Sequence, residues 1–391
     1  MYRSLESGSH NEEIKIDLVS IEKGLEEGSI IEIFPTEIDL KTGQRLRYFA
    51  DHRSLENRFI KLFNGGVEEA ENELANVQKI SKANKHLSIV TPLSEYKKDG
   101  IIAVCYPFID GVNLQLCFEQ LKGTSELTQI AKEAIRQSST LSVNSETIGL
   151  KDYVAAPKFL MGYPFSLDDF DGQIFSEINK AYLPFWILRR NICNAFPGYS
   201  LDRHSRNVLV GKDNTLHHID FEVATKDSPF FDFVKIIRNG PDSTFSLSKA
   251  IWNDAIKYPK EFCYQLNPFT ENEERELVEF FMHNRFPSYD GDTESFANVY
   301  EIVAAHTHLF YISKYLRRYS VAPSETKPIA EARLHYHIIG YLALADKLFQ
   351  VNNLHGDLLK GVSNSVSVEQ TLKLNSLVLE LANNFIDQNA K

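Results

Sequence analysis

Tyr199-Ser200-Leu201-Asp202-Arg203-His204-Ser205-Arg206-Asn207 is followed, after a short turn, by Leu216-His217-His218-Ile219-Asp220-Phe221-Glu222. Asn207 lies five residues after Asp202, and Asp220 thirteen after Asn207. Between them, Val208-Leu209-Val210 and Leu216 to Ile219 read as two short apolar strands joined by the turn Gly211-Lys212-Asp213-Asn214. A hairpin of that length brings Asn207 and Asp220 to the same end, near Asp202. Three polar side chains are expected to converge there.

Phosphoryl transfer needs one carboxylate near the attacking hydroxyl and two oxygen side chains holding the magnesium that bridges the nucleotide phosphates. The spacing therefore predicts a nucleotide–magnesium site, with ATP and Mg2+ as the cofactors.

Upstream, the first hundred residues are strand-rich. Ile14 to Ile21 alternates, Ser29 to Ile38 is β-branched and apolar, and Arg58-Phe59-Ile60-Lys61-Leu62-Phe63 is a strand with one charge inside it. Asn64-Gly65-Gly66 breaks the chain before a helix from about Val67 to Lys82, in which Ala70, Leu74, Val77 and Ile80 recur at helical spacing. A strand pair, Leu87 to Val90 and Gly100 to Tyr106, is expected next, with Lys97-Lys98-Asp99-Gly100 as its turn. After Gly111 helical periodicity dominates, from Leu114 to Phe196 and again from Phe245 onward, including Phe296 to Tyr315 and Ala330 to Phe349. Pro323 and Pro328 punctuate the last two helices. A small sheet-rich unit followed by a large helical one is an α+β pattern. The expected boundaries are 1–105 for the N-lobe, 106–112 for a hinge and 113–391 for the helical C-lobe.

Composition narrows the function. The 391 residues are 43% hydrophobic and 24% charged, values of an ordinary globular protein. A net charge of -11 argues against a nucleic-acid or anionic-membrane surface as the main partner. No apolar run approaches the roughly 20 residues of a membrane span. Met1 to Glu13 is polar and acidic, unlike a secretory signal. Cys105, Cys117, Cys193 and Cys263 are too scattered for a disulfide framework or zinc site, so reduced thiols in a cytoplasmic protein are expected.

Together these elements resemble the protein-kinase-like superfamily, in layout the aminoglycoside phosphotransferase and choline kinase branch. The resemblance implies a two-lobed fold with a β-rich N-lobe and a helical C-lobe. It makes Tyr106-Pro107-Phe108-Ile109-Asp110-Gly111 the hinge, Asp202 the catalytic base, and Asn207 and Asp220 the magnesium ligands. Ser228-Pro229-Phe230-Phe231-Asp232-Phe233 matches the segment after the metal Asp, where Asp232 has a structural role. The pattern covers roughly Ser29 to Gly240. Three departures stand out. Ser200 replaces the His usual two residues before the catalytic Asp. The order Asp202-Arg203-His204 with His218-Ile219-Asp220-Phe221 looks more like phosphatidylinositol kinases. Glu222 stands where many members have Gly.

Further candidates come from the residues themselves. Lys61 lies between Phe59 and Phe63 on one strand face, a costly place for an unpartnered ammonium. It is read as holding the nucleotide phosphates while itself held by a helix glutamate. Glu73 shares a face with Val77 and Ile80 and is the preferred partner, Glu69 the competitor, while Glu71 faces water. The hinge that the resemblance implies would have Tyr106 and Phe108 contact the nucleotide through a main-chain amide and carbonyl, the alternative being a strand end followed by an Asp-Gly turn. No glycine-rich phosphate loop is evident; Lys23 to Gly28 and Asp39 to Gly43 are poor candidates. His204 is a second catalytic candidate or a histidine bonded to nearby backbone. Arg203 and Arg206 either stabilise phosphate charge or pair with acids, with Arg203 read as structural. The aromatic stretch Tyr163 to Phe185, with Asp168, Asp169 and Asp171, is either an acceptor pocket for a cation or a solvated acidic turn.

Four functions compete: a kinase for a small-molecule hydroxyl, a phosphoinositide or protein kinase, a nucleotide-binding pseudokinase, and transfer of AMP rather than phosphate.

Overall fold

The structure, a computed structural model, describes residues 17–38, 45–53, 57–64, 67–141, 151–152, 172–221, 225–245, 247–289, 291–321, 324, 326–348 and 367–389. The chain divides into two compact units, Met1–Gln78 with Val90–Asp110, and Lys79–Ile89 with Gly111–Lys391.

The first unit is an antiparallel sheet in the order β1-β2-β3-β6-β5, formed by β1 (Ile30–Ile38), β2 (Arg45–Asp51), β3 (Arg58–Asn64), β5 (Ser94–Lys98) and β6 (Ile101–Pro107). Ile30, Phe49, Ile60, Leu62, Ala103 and Cys105 form its core with Ile21. The alternation at Ile14 to Ile21 misleads: Leu18–Glu27 is helix α1. Asp17 caps it by accepting the Ser20 amide at 2.8 Å, and Gly28 closes it in the left-handed region at φ 72°, a conformation cheap only for glycine. The 23–28 stretch is thus helix and cap, and the other phosphate-loop candidate, 39–43, lies outside the described residues. The strand pair also differs from expectation. Ser94–Lys98, not 87–90, pairs with Ile101–Pro107 across a turn in which Asp99 and Gly100 have positive φ. Helix α2 (Val67–Ala83) follows β3 and buries Ala70, Leu74, Val77 and Ile80, the stripe its spacing predicts.

In the second unit, β4 (Ser88–Ile89), β11 (Leu216–His218), β10 (Val208–Gly211) and β7 (Gly111–Asn113) form one sheet, with β4 parallel to β11. Gly111 is needed there, because a Cβ would collide with the Val210 carbonyl. A second small sheet joins β8 (Lys151–Asp152), β12 (Thr225–Asp227) and β9 (Gly198–Ser200). Around them lie α3 (Leu114–Gln120), α4 (Ser125–Thr140), α5 (Gly172–Ala195), α6 (Pro229–Ile237), α7 (Lys249–Lys257), α8 (Pro259–Leu266), α9 (Glu271–Arg285), α10 (Thr293–Val321), α11 (Lys327–Leu344) and α12 (Val368–Asn389). Small α6 matters most. Phe230, Phe231, Phe233, Val234, Ile236 and Ile237 are all buried, and Phe233 stacks on Phe281 with ring centroids 4.1 Å apart. Burial of each such side chain contributes about 1.5–3 kcal/mol, so the helix is a rigid post for its two charges, Asp232 and Lys235. The α+β class and the split into a small sheet-rich unit and a large helical one agree with the sequence reading.

Candidate active site

In the first unit β3 is central, so Lys61 cannot be a solvent-facing edge lysine. Its ammonium is buried, donates to Glu73 Oε2 at 2.7 Å and lies 4.9 Å from the Phe63 ring centroid. Glu73 is buried too, and its Oε1 accepts from the Tyr106 hydroxyl at 3.1 Å. Taking two charges out of water is costly, and the pair persists because both carboxylate oxygens are hydrogen-bonded. Glu71 is exposed and pairs with Lys97, while the Glu69 side chain lies outside the described residues. Tyr106 therefore acts on this pair through its side chain, a contact that the hinge reading did not contain. Phe108 is partly exposed, but its amide donates to the Asn57 carbonyl at 3.2 Å. An adenine contact through that amide requires this bond to open.

The second unit gathers Asp202, Asn207 and Asp220. The register Val208 with His218 and Val210 with Leu216 closes the hairpin, and the Ile219 amide donates to the Asn207 carbonyl at 3.1 Å. Asn207 Nδ2 donates to the Asp202 carbonyl at 3.1 Å. Arg203 fastens the arrangement from below. Its buried guanidinium donates to the carbonyls of Leu201 (3.1 Å), Asn207 (3.3 Å), Ile219 (2.7 Å) and Asp220, and stacks 4.0 Å from the centroid of Phe221. Burial lowers its pKa, with Asp220, Asp232 and Asp202 opposing. A planar fork meeting four carbonyls is work a lysine cannot do. Arg203 is structural, as the sequence suggests.

Four non-glycine residues have positive φ among those described: Asp99, Asn214, Asp202 at 52° and Asp220 at 60°. Asp99 and Asn214 lie in hairpin turns, where Asp and Asn tolerate this region. The other two are the candidate catalytic and metal-binding aspartates. Strained backbone held by surrounding structure is a feature of functional sites.

Asp202 is held from α6. Lys235 Nζ donates to Asp202 Oδ1 at 2.6 Å and lies 3.8 Å from Asp232 Oδ1. Asp232 in turn accepts from Ser200 Oγ at 2.5 Å and from the Leu201 amide at 2.9 Å, anchoring the loop's entry. Ser200, in place of the expected histidine, is thus the contact that ties β9 to α6. Burial pushes the Asp202 carboxyl up, but Lys235, His204 and Lys314 outweigh it and hold the group well below the usual carboxylate range. Burial pushes Asp232 up, and there the net direction is upward. Lys235 is opposed by burial yet kept protonated by Asp202 and Asp232.

His204 is the cap of the short 3-10 turn Ser205–Asn207: its Nδ1 accepts the Arg206 amide at 3.2 Å. Burial depresses its pKa well below normal against the pull of Asp202. The ring is therefore neutral with its proton on Nε2, and Nδ1 is not a base for an acceptor. Arg206 is consumed by Asp242 and by the carbonyls of Asn239, Gly240 and Pro241, so it does not face a transferring phosphate. Glu222 and 163–171 of the acidic aromatic stretch lie outside the described residues.

Asn207 and Asp220 suit a magnesium ion by chemistry. With Nδ2 committed to Asp202, the amide oxygen of Asn207 is its metal-type donor, and Asp220 supplies a carboxylate. Magnesium characteristically takes one or two such oxygens, completing its shell with phosphates and water.

Beside Asp202 the second unit contains a cavity of about 200 Å3, lined by Ser200, Asp202, Lys235, Phe231, Tyr311 and Lys314 among others. Sequence reading missed Lys235 and Lys314. The available signals were two charges, Asp232 and Lys235, three apart in an otherwise apolar helix, and a lysine following Tyr311 by three in another.

No family model and no curated protein sequence matches the chain. Solved structures similar to it include an aminoglycoside phosphotransferase from Streptomyces rimosus, at TM-score 0.41 and 11% identity over 73% of this chain and 96% of that one. An ethanolamine kinase from Plasmodium vivax gives TM-score 0.42 and 12% identity over 88% and 95%. A putative fructosamine-3-kinase from Haemophilus somnus gives 0.40 and 9% over 82% and 90%. At that overlap the function rests on this chain's own residues.

Proposed function

We propose that this protein is an ATP- and magnesium-dependent phosphotransferase of protein-kinase-like fold, acting on the hydroxyl of a small molecule. The observation that carries the reading is the Arg203-clamped loop, which gathers Asp202, Asn207 and Asp220 and holds both aspartates in the left-handed region. Such rigidity at the reacting groups favours a transition state over a ground state.

Asp202 accepts a hydrogen bond from the acceptor hydroxyl and takes its proton late. Late proton transfer suits a loose transition state in which the hydroxyl loses its proton only as the bond to phosphorus forms. Lys235 fixes the carboxylate through Oδ1 and places a positive charge where negative charge is transferred. Lys61, oriented by Glu73 and Tyr106, meets the nucleotide phosphates. Asn207 and Asp220 hold magnesium, which when bound neutralises the phosphate oxygens. The neutral His204 keeps the loop's turn and is not the base.

Among the described residues no helix is long and apolar enough to cross a membrane, and all four cysteines are free thiols. A cytoplasmic setting is part of the proposal. An ATP-consumption screen over hydroxylated metabolites, with product identification by mass spectrometry, tests it. A phosphorylated product that disappears with Asp202→Asn supports the reading. Magnesium-dependent nucleotide binding with no product from any acceptor or protein overturns it in favour of a pseudokinase, and a nucleotidylated product in favour of AMP transfer.

A further inference from the structure

The walls of the cavity beside Asp202 carry three cations, Arg189, Lys235 and Lys314, and two carboxylates, Asp202 and Asp227. Two of the cations are matched within the wall. Arg189 pairs with Asp227, and Lys235 with Asp202 at 2.6 Å. Lys314 is different. Among the described residues no carboxylate lies within ion-pair distance of its ammonium, which sits 5.3 Å from the centroid of the Tyr311 ring.

Lys314 is also half-buried, on the face of α10 formed by Thr307, Phe310, Tyr311 and Lys314, all of which line the cavity. Burial and the neighbouring Arg318 pull its pKa down to about 8, with Lys235 adding to the effect and Tyr315 and Asp202 opposing it. Among the described residues this partly desolvated ammonium has no carboxylate in direct contact, and an arriving anion supplies one. A pocket built for an amine has the opposite balance, a surplus carboxylate. Two other polar groups of the wall are already occupied: the Thr307 hydroxyl donates to the Val303 carbonyl at 2.8 Å, and Ser200 to Asp232.

We infer that the acceptor is a small hydroxyl compound bearing an anionic group, carboxylate or phosphate, seated against Lys314 with its hydroxyl turned to Asp202. This rests on the phosphotransferase reading for the hydroxyl, but not for the anion. It departs from the cation-pocket alternative raised for the acidic stretch near Asp168.

Calorimetric titration of the full chain tests it with matched probes: D-glycerate and glycerol phosphate against glycerol and ethanolamine, and D-gluconate against glucose and glucosamine. At least one anion should bind more tightly than its neutral and amine counterparts. Lys314→Gln should weaken that binding by about tenfold or more, and Lys314→Arg should restore it. Tighter binding of the amines, no anion binding at millimolar concentration, or equal anion affinity in wild type and Lys314→Gln overturns the inference. So does a Lys314→Gln variant that loses Mg-ATP affinity alone, since Lys314 then serves the nucleotide. If Lys314→Gln does not fold, the wild-type probe order and Lys314→Arg still decide. Anion binding that depends on Lys314 without ATP consumption leaves the site standing and removes the phosphotransferase reading. Phosphorylation of glycerol, ethanolamine or the sugars but of neither class of anion does the reverse.

Discussion

Replacing Lys61 by methionine separates its structural from its chemical role. The ammonium and the Glu73 carboxylate are both buried and 2.7 Å apart, so removing one leaves the other as a charge without its counter-ion. Breaking such a pair typically costs about 3–5 kcal/mol. The Tyr106 hydroxyl still holds one oxygen of Glu73 at 3.1 Å, which sets the expectation for Lys61→Met at the lower end, about 3 kcal/mol. At an m value of about 3 kcal/mol/M, the urea midpoint falls by about 1 M. Adding Glu73→Leu removes the stranded carboxylate and should recover most of the loss. About 1 kcal/mol remains missing because the Tyr106 hydroxyl has lost its acceptor. Mg-ATP use should stay lost in both the single and the double variant. The assay is urea denaturation followed by tryptophan fluorescence and circular dichroism, alongside Mg-ATP titration of each variant. Wild-type stability in Lys61→Met refutes the buried pair. Wild-type Mg-ATP affinity in the restabilised double variant refutes the phosphate contact and leaves Lys61 a purely structural residue.

Asp202→Asn should keep Mg-ATP affinity within a few fold and cut turnover by about a hundredfold or more, because the carboxylate acts chiefly in the transition state; equal turnover in steady-state assays rejects it as the base. Arg203→Lys keeps the charge but loses the fork that reaches four carbonyls, so denaturation should show a loss of about 2–3 kcal/mol together with weakened Mg-ATP binding, and a neutral result refutes the clamp. Burial depresses the pKa of His218 to about 3 and of His335 to about 4, so the folded chain binds fewer protons than the unfolded one at mildly acidic pH. Their contribution to stability is present above the unfolded value of about 6.5 and is lost as pH falls toward the folded values, with a slope of up to about 1.4 kcal/mol per pH unit for each histidine. A denaturation midpoint that does not move over that acidic range contradicts this.

What the sequence revealed about the site was local. The hairpin that joins Asn207 to Asp220 follows from two short apolar runs and a turn, and the choice of Glu73 follows from helical spacing with Val77 and Ile80. Both depend on neighbours a few residues away. What it hid depends on tertiary placement. Lys235 meets Asp202 only because α6 packs where it does, and Lys314 lies seventy-nine residues beyond Lys235 in the chain. Ser88–Ile89 joined a parallel partner more than a hundred residues away, which no local pattern encodes. The alternation of Ile14 to Ile21 was outweighed by a capping aspartate and a glycine stop. The role of Tyr106 was missed because a hinge suggests main-chain contacts, whereas its hydroxyl reaches Glu73.

The most direct test of the central claim is mass spectrometry of acceptor mixtures incubated with Mg-ATP and either wild-type protein or Asp220→Ala. The proposed phosphotransferase predicts an acceptor heavier by one phosphoryl group, formed by the wild type, dependent on magnesium and missing with Asp220→Ala. The same product from Asp220→Ala, or ATP bound by the wild type with no modified acceptor at all, contradicts it.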